Sequence, residues 1–193
     1  MQRELPSLRL EWGSSKHDID DLARSAGTLF IVAATSVRFI LDCRANNPLH
    51  RLSVLLQMFH NSGTDTGNPY HLLDALYHQS LESAIPSDGY YQDMIESFQH
   101  VVGAIIVLHE PFMCLGLEKF LDIRENRLDA ILHLLHSVIN STSSIKPLCV
   151  YHASFPDFII DGERCKRDEL VIYHAEHHHS IASLCFRVME SAL

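Results

Sequence analysis

The chain has 193 residues, of which 47% are hydrophobic, so it is long enough to bury a core in one medium domain or two small ones. Fifteen basic residues stand against 24 acidic ones, which gives a formal net charge of -9, and the lysines and arginines are scattered along the sequence. Because phosphate binding needs a basic face, we expect no nucleic-acid partner.

Two further absences indicate the compartment. No run of about 18 apolar residues occurs, and the first residues, with Arg3 and Glu4, lack the apolar centre of a signal peptide. We therefore expect a soluble cytoplasmic protein with no membrane partner. The cysteines are odd in number and form no CxxC pair, which argues against a disulfide framework and against structural zinc. We expect reduced and mostly buried thiols at Cys43, Cys114, Cys149, Cys165 and Cys185.

The N-terminal part of the chain has a helical period. Ser15 is expected to cap a first helix, and Gly27 follows as its stop signal. The next segment, "TLFIVAATSVRFILD", is almost continuously apolar, so it predicts a helix that is buried on most sides. Asn47 stands before a proline, a pairing typical of a cap and first turn, and opens a third helix. Pro69 opens a fourth helix after a polar, glycine-rich loop.

The second part of the chain predicts three helices and a β-hairpin. The first of these helices carries an apolar stripe and ends at Pro111. Two shorter helices follow, in "LEKFLDI" and "RLDAILHLLHSV". The β-prone runs "SVIN" and "PLCVYH" flank a polar loop, which is the profile of a hairpin. A last amphipathic helix ends the sequence.

These elements predict a mainly α fold with two domains. Three helices followed by a hairpin are typical of a winged-helix domain, which we expect over residues 86–193 with the C-terminal helix included. Residues 15–85 are expected to form a separate helical subdomain, after an N-terminal segment of residues 1–14. The helix that would enter a DNA major groove carries Glu125 and Asp129, so we expect this fold to be used between protein surfaces.

One segment, "VYHASFPDFIIDG" at residues 150–162, concentrates candidate functional side chains. His152, Ser154 and Asp157 have the atoms of a catalytic triad, but groups so close in sequence do not converge on a substrate. We interpret Ser154 and Asp157 as a capping box that starts a short helix, and Gly162 as the residue of positive φ that ends it. His152 then lies at a strand-to-helix junction, where its side chain can point at a ligand.

Five segments along nearly the whole chain carry a family resemblance. In chain order they are "SAGTLFIVAATSVRFI", "NNPLHRL", "LDALYHQSL", "VVGAIIVL" and "YHASFPDFIIDGERC". Together they resemble the C-terminal part of the NACHT-type signal-transducing NTPases of mushroom-forming fungi, which are relatives of NOD-like receptors. The resemblance implies that residues from about 15 to 85 are similar to the helical lid that follows a nucleotide-binding core. It implies that residues 90–193 are similar to the winged-helix domain.

The resemblance also implies roles for single residues. In NACHT proteins the histidine of an "hHxSFxxF" motif contacts the β-phosphate of bound ADP and holds the closed, inactive arrangement until ATP replaces ADP, and His152 falls on that histidine. A buried histidine bonded to the backbone is the alternative. Leu29 and Phe30 fall where related NTPases pack a lid segment on the adenine. The proline of that segment is missing here, and core packing is the alternative for both residues.

The resemblance begins at the lid, and the chain has no P-loop. None of its eight glycines is followed by lysine, so the phosphate-cradling GxxxxGK sequence is absent. We therefore expect no enzyme activity and no cofactor in this chain alone, and ADP or ATP only together with a core supplied elsewhere. Two origins stay open: a fragment of a longer receptor, or a separate protein that kept the regulatory half.

A histidine cluster near the end of the sequence is a candidate metal site. His174, His177 and His178 share a helical face at i, i+3 and i+4, and Cys165 lies nearby in sequence, a set that could satisfy zinc. No carboxylates are placed to orient the rings, so solvent-exposed histidines are the alternative, and we assign no metal ligand.

Three hypotheses follow from the sequence. The first is a non-catalytic regulatory module of a NACHT-type switch protein that closes over an ADP-bound core. Its partners would be protein surfaces, and this hypothesis is compatible with oligomerisation. The second is a stand-alone α-helical adaptor with no nucleotide role. The third is a metal-dependent enzyme that uses the histidine cluster.

Overall fold

The computed structural model describes residues 16–41, 47–61, 70–85, 92–141 and 146–191. Within these ranges it contains nine α-helices, one short 3-10 helix and one two-stranded antiparallel sheet. The chain is therefore mainly helical, as its sequence predicts. It divides into two compact units, Met1–Leu76 and Tyr77–Leu193, and the division falls inside the fourth helix. None of the helices in the described ranges is both long and apolar enough to span a bilayer.

The first unit contains three whole helices and the start of a fourth: α1 (Lys16–Ala26), α2 (Phe30–Ile40), α3 (Pro48–Asn61) and α4 (His71–Ala84). The first three helices pack against one another. Gly27 ends α1 with a φ of 55°, a left-handed conformation that glycine adopts without steric cost. The side-chain oxygen of Asn47 accepts the N–H of His50 at 3.0 Å. Both local signals are thus confirmed, whereas the expected Ser15 cap lies outside the described residues.

The second helix is exposed at two of its eleven residues. Its buried residues lie on one face, at Val32, Thr35, Ser36, Phe39 and Ile40. Phe30, by contrast, is 83% exposed, and Val37 is exposed as well. The other residues of α2, at Ile31, Ala33, Ala34 and Arg38, are half-buried, so the helix is covered on most sides, as the sequence predicts, and Phe30 and Val37 are the exceptions.

The second unit begins with the end of α4 and continues as follows: α5 (Gln92–Val107), α6 (Cys114–Leu121), α7 (Glu125–Leu134), β1 (Ile139–Asn140), β2 (Cys149–Val150), α8 (Ser154–Ile159), a 3-10 helix (Asp168–Leu170) and α9 (His174–Ser191). Three helices therefore precede a hairpin, in the order that the sequence predicts. Ile139 pairs with Val150 and Asn140 with Cys149. Helix α5 is central, since α7, α9, β2 and the 3-10 helix all contact it.

The core of the second unit joins four of its helices. Tyr77 from α4, Phe98 from α5, Ile131 from α7 and Phe158 from α8 are all fully buried. Each of these helices turns one apolar stripe inward, which supplies most of the stability that packed helices have. The end of α4 thus belongs to this core, which explains why the division between the units falls within that helix.

The described cysteines are less buried than the sequence suggests. All four are free thiols, but only Cys165 is buried, while Cys149 and Cys185 are exposed. The expectation of mostly buried thiols is wrong for this part of the chain. Burial raises the pKa of Cys165 to about 11, so its thiol stays protonated and unreactive at neutral pH.

Candidate functional site

His152 lies between the end of β2 and the start of α8, at the junction that the sequence predicts. On one side of it, the Tyr151 N–H donates to the Val138 carbonyl at 2.9 Å and continues the hairpin ladder. On the other side, the Phe155 N–H donates to the His152 carbonyl at 3.2 Å. The backbone of His152 is therefore held by two elements, while its side chain is exposed.

The imidazole of His152 is oriented by Ser154. The backbone N–H of Ser154 donates to Nδ1 at 3.1 Å, and the Ser154 hydroxyl lies 2.7 Å from the same nitrogen. A backbone N–H can only donate, so Nδ1 must be the accepting nitrogen and Nε2 carries the ring proton. The histidine thus turns an N–H donor away from its own helix. This is the tautomer that a sensor of a phosphate oxygen needs.

A third side chain extends this chain of hydrogen bonds into the core. The Tyr77 hydroxyl lies 2.8 Å from the Ser154 hydroxyl, and both groups are buried. Since the Ser154 hydroxyl donates to His152, it accepts from Tyr77. The donors run from Tyr77 to Ser154 to His152, so a residue of α4 fixes the ring of a histidine that lies 75 positions further along the sequence.

Two phenylalanines of α8 pack against the ring of Tyr77 and so support the hydrogen bonds to His152. The rings of Phe155 and Phe158 lie 5.3 and 5.2 Å from that of Tyr77, and 6.5 Å from each other. The edge-to-face geometry of the first pair is a favoured aromatic contact. His78 stands edge-on to Phe158 at 5.0 Å. The motif's two phenylalanines are therefore core residues that hold α8 under His152.

The capping box expected at Ser154 and Asp157 does not form. Ala153 is the N-cap of α8 in a helical conformation, and Ser154 is the first residue of the helix. Its hydroxyl is used by Tyr77 and His152, and Asp157 is exposed. The Nδ1 atom of His152 takes the place of the capping oxygen, because it accepts the Ser154 N–H at the start of the helix.

The end of α8 also differs from the prediction. Gly162 does not adopt a positive φ, and Gly27 is the one glycine that does so within the described ranges. Instead, the carboxylate of Asp161 accepts the N–H groups of Glu163 at 2.9 Å and Arg164 at 3.3 Å. An Asx-type turn therefore replaces the glycine stop.

The weaker candidate residues, Leu29 and Phe30, lie at the start of α2 in the first unit. Leu29 is the N-cap of that helix and is half-buried. Phe30 is almost fully exposed, so core packing is wrong as an account of this residue.

The histidines of α9 do not form one group. His174 and His178 are exposed, with ring centroids 6.0 Å apart, whereas His177 is half-buried and faces Gly103 on α5. Cys165 is buried, and its thiol faces the Arg167 carbonyl at 3.9 Å. In the part of the chain that the structure describes, no three histidine, cysteine or acidic side chains converge as a ligand set.

One polar cluster around a mostly buried arginine had no signal in the sequence. The Arg167 guanidinium is 13% exposed and donates to Glu82 at 3.2 Å, to Glu169 at 2.8 Å and to the Ile85 carbonyl at the end of α4. Burial pushes the pKa of Glu169 upward, but the hydrogen bond and charge of Arg167 outweigh it and leave that pKa below its ordinary value. Arg167 therefore ties the end of α4 to the 3-10 helix.

Comparison with known proteins adds no relative to this description. No family model matches the chain, no curated protein matches it, and no solved structure matches it.

Proposed function

We propose that this chain is a non-catalytic regulatory module of a NACHT-type switch protein, in which a helical lid-like unit is followed by a winged-helix domain. In this proposal the module closes over an ADP-bound core that another part of the protein or another chain supplies. The resemblance of five segments suggests the family, and the geometry around His152 supports the role.

The order of elements in the second unit supports a winged-helix arrangement. Helices α5, α6 and α7 precede the β1–β2 hairpin. Met113, between α5 and α6, forms an antiparallel bridge with Pro147, and the Leu148 N–H donates to the Phe112 carbonyl at 2.8 Å. A short extended segment before the second helix, paired beside the hairpin, is what a winged helix would need.

The observation that carries the functional proposal is the orientation of His152. Ser154 holds Nδ1, and Tyr77 holds Ser154, so the Nε2–H group is presented from an exposed position with little freedom. A pre-oriented donor loses less entropy when it binds a phosphate oxygen. ADP bound in a facing core would then favour the closed arrangement, and a nucleotide that does not offer the same contact would release it.

The experiment compares three substitutions in the chain mixed with a nucleotide-binding core domain of the NACHT type. We expect His152→Ala to weaken retention of fluorescent ADP by roughly ten-fold or more, since a hydrogen bond to a charged group is worth about 1.5–3 kcal/mol. His152→Asn distinguishes the loss of the Nε2–H donor from the loss of the contact with Ser154. Its side-chain oxygen can still accept the Ser154 N–H, but it presents no donor at the Nε2 position.

The controls separate a sensor from a structural histidine. Because Asn preserves the start of α8, a structural role predicts that His152→Asn retains ADP while His152→Ala does not. A sensor role predicts that both lose it. His179→Ala, an exposed histidine on α9, should retain ADP like the unsubstituted chain. Equal retention by all variants would exclude His152 as the sensor.

The adaptor hypothesis has one observation in its favour. The second half of α9 exposes Phe186 and Met189, and α6 exposes Leu115. Exposed apolar side chains on helices are typical of surfaces that bind proteins. An adaptor would bind the core domain with the same affinity in the presence and absence of ADP. Its affinity would also be the same in the unsubstituted chain, in His152→Ala and in His152→Asn, which the same mixture would measure.

A further inference from the structure

The contact between α5 and α9 is built around a glycine and a histidine. Gly103 is buried on α5, and the imidazole of His177 on α9 occupies the space where a side chain at position 103 would lie. An ideal Cβ at Gly103 would stand 2.2 Å from Nδ1 and 2.4 Å from Cε1 of that ring. The two helices therefore approach closely because position 103 has no side chain and His177 fills it.

Helix α9 contacts α5 and α6 of the second unit. Within this helix Leu184 is the buried apolar residue, and residues 185–190 are all exposed. Asp122, just after α6, lies 3.8 Å from Arg187 of α9, but both of these side chains are mainly exposed and their ion pair contributes little. His177 is thus one of four residues at positions 174–190 of α9 that are buried or half-buried, together with Ser180, Ile181 and Leu184.

The surroundings of His177 favour its neutral form. Burial is the main cause that lowers its pKa, and electrostatic repulsion from the imidazoles of His100 on α5 and His174 on α9 lowers it further. Glu176 on α9 opposes these effects, but the net direction is downward from 6.5. The group is half-buried in a site that costs free energy to charge.

We propose that the α5–α9 contact is a pH-sensitive joint, in which neutral His177 seats α9 on α5 at Gly103 and protonation of His177 releases α9. A histidine whose pKa is lower in the folded state stabilises the folded contact above its unfolded pKa of about 6.5. That contribution is lost as the pH falls through the folded pKa. The effect is independent of any nucleotide and of His152.

Hydrogen–deuterium exchange on the full chain tests the joint. We expect the amides of α9 to lose protection, after correction for intrinsic exchange rates, between about pH 7.5 and about pH 5.5, on either side of the ordinary histidine pKa. Amides of α7 should keep theirs. In a histidine NMR titration, His177 should gain its proton below the ordinary histidine pKa of about 6.5.

Substitutions identify the group responsible. His177→Gln does not titrate, so its α9 protection should not change over this pH range, whereas His178→Gln should behave like the unsubstituted chain. Identical pH responses of His177→Gln and the unsubstituted chain would overturn the proposal. So would α9 protection that does not change with pH.

If His177→Gln loosens α9 at every pH, a second pair of variants tests whether the ring of His177 occupies the space at Gly103. Gly103→Ala places a methyl group where the ring lies, so it should reduce α9 protection already at neutral pH. Adding His177→Ala removes the ring and should restore protection relative to Gly103→Ala alone, because the two residues share one space. Full α9 protection in Gly103→Ala would show that the ring does not seat there, and the proposal would fail.

Discussion

Replacing Phe158 by alanine is expected to lower the free energy of unfolding of the second unit by about 4 kcal/mol, which is typical for a fully buried aromatic residue in a core. The ring has no exposed surface, and it contacts Tyr77, His78 and Phe155. Its removal leaves a cavity between α4 and α8 that a packed interior fills only in part.

Native-state hydrogen exchange at the slowest amides of α7 measures this loss, because those amides report global opening of the unit. Phe186→Ala is the matched control. Phe186 is 64% exposed on α9, so the same truncation should change stability by less than about 0.5 kcal/mol. If both variants lose the same stability, Phe158 does not belong to the core of this unit.

The same substitution also reaches the candidate site. Phe158 and Phe155 form the floor on which Tyr77 lies, and Tyr77 orients Ser154 and, through it, His152. A loosened floor should therefore give the imidazole more freedom even in molecules that stay folded. The motif "SFPDF" is then a structural support for the histidine that precedes it, rather than part of a ligand contact.

The elements that sequence analysis predicted well depend on short-range patterns. Helices with one apolar stripe, such as α5 and α7, are recognised by a period that repeats within each helix. Asn47 before a proline and Gly27 at the end of α1 act on backbone groups three or four residues away. Such signals need no knowledge of the rest of the fold, which is why they were correct.

The features that were missed depend on partners far away in sequence. Ser154 has the spacing of a capping box, but its hydroxyl is taken by Tyr77, 77 residues earlier. The Gly103–His177 contact joins residues 74 positions apart, and the patterns that contain them, "VVGAIIVL" and the histidine cluster, do not predict that they meet. Local propensity gives way where a tertiary partner offers a buried group a stronger hydrogen bond or a better fit.

Exposure was likewise difficult to predict for apolar residues. Phe30 stands in the most apolar segment of the N-terminal part and is nevertheless exposed. Composition shows that a segment can be buried, but the number and placement of neighbouring helices decide which side is buried. The same reasoning applies to Cys185 of α9, which was expected among the mostly buried thiols and is exposed.

Replacing Arg167 by alanine is expected to cost about 2–3 kcal/mol of stability in the second unit, the sum of an unsatisfied buried carbonyl and two weakened ion pairs. The carbonyl is that of Ile85 at the end of α4, which loses its donor. The two ion pairs contribute less, since the side chains of Glu82 and Glu169 are each nearly half exposed.

A matched control for this truncation is Arg127→Ala. Arg127 forms a 3.4 Å ion pair with Asp93, but both side chains are well exposed, so its loss should cost less than about 0.5 kcal/mol in a denaturant titration. Arg167→Lys should recover part of the loss, because an ammonium can reach one partner but cannot bridge all three. Equal stability of the two alanine variants would mean that the buried guanidinium does not hold the end of α4. The difference between them therefore measures what burial adds to an arginine that already has an acidic partner.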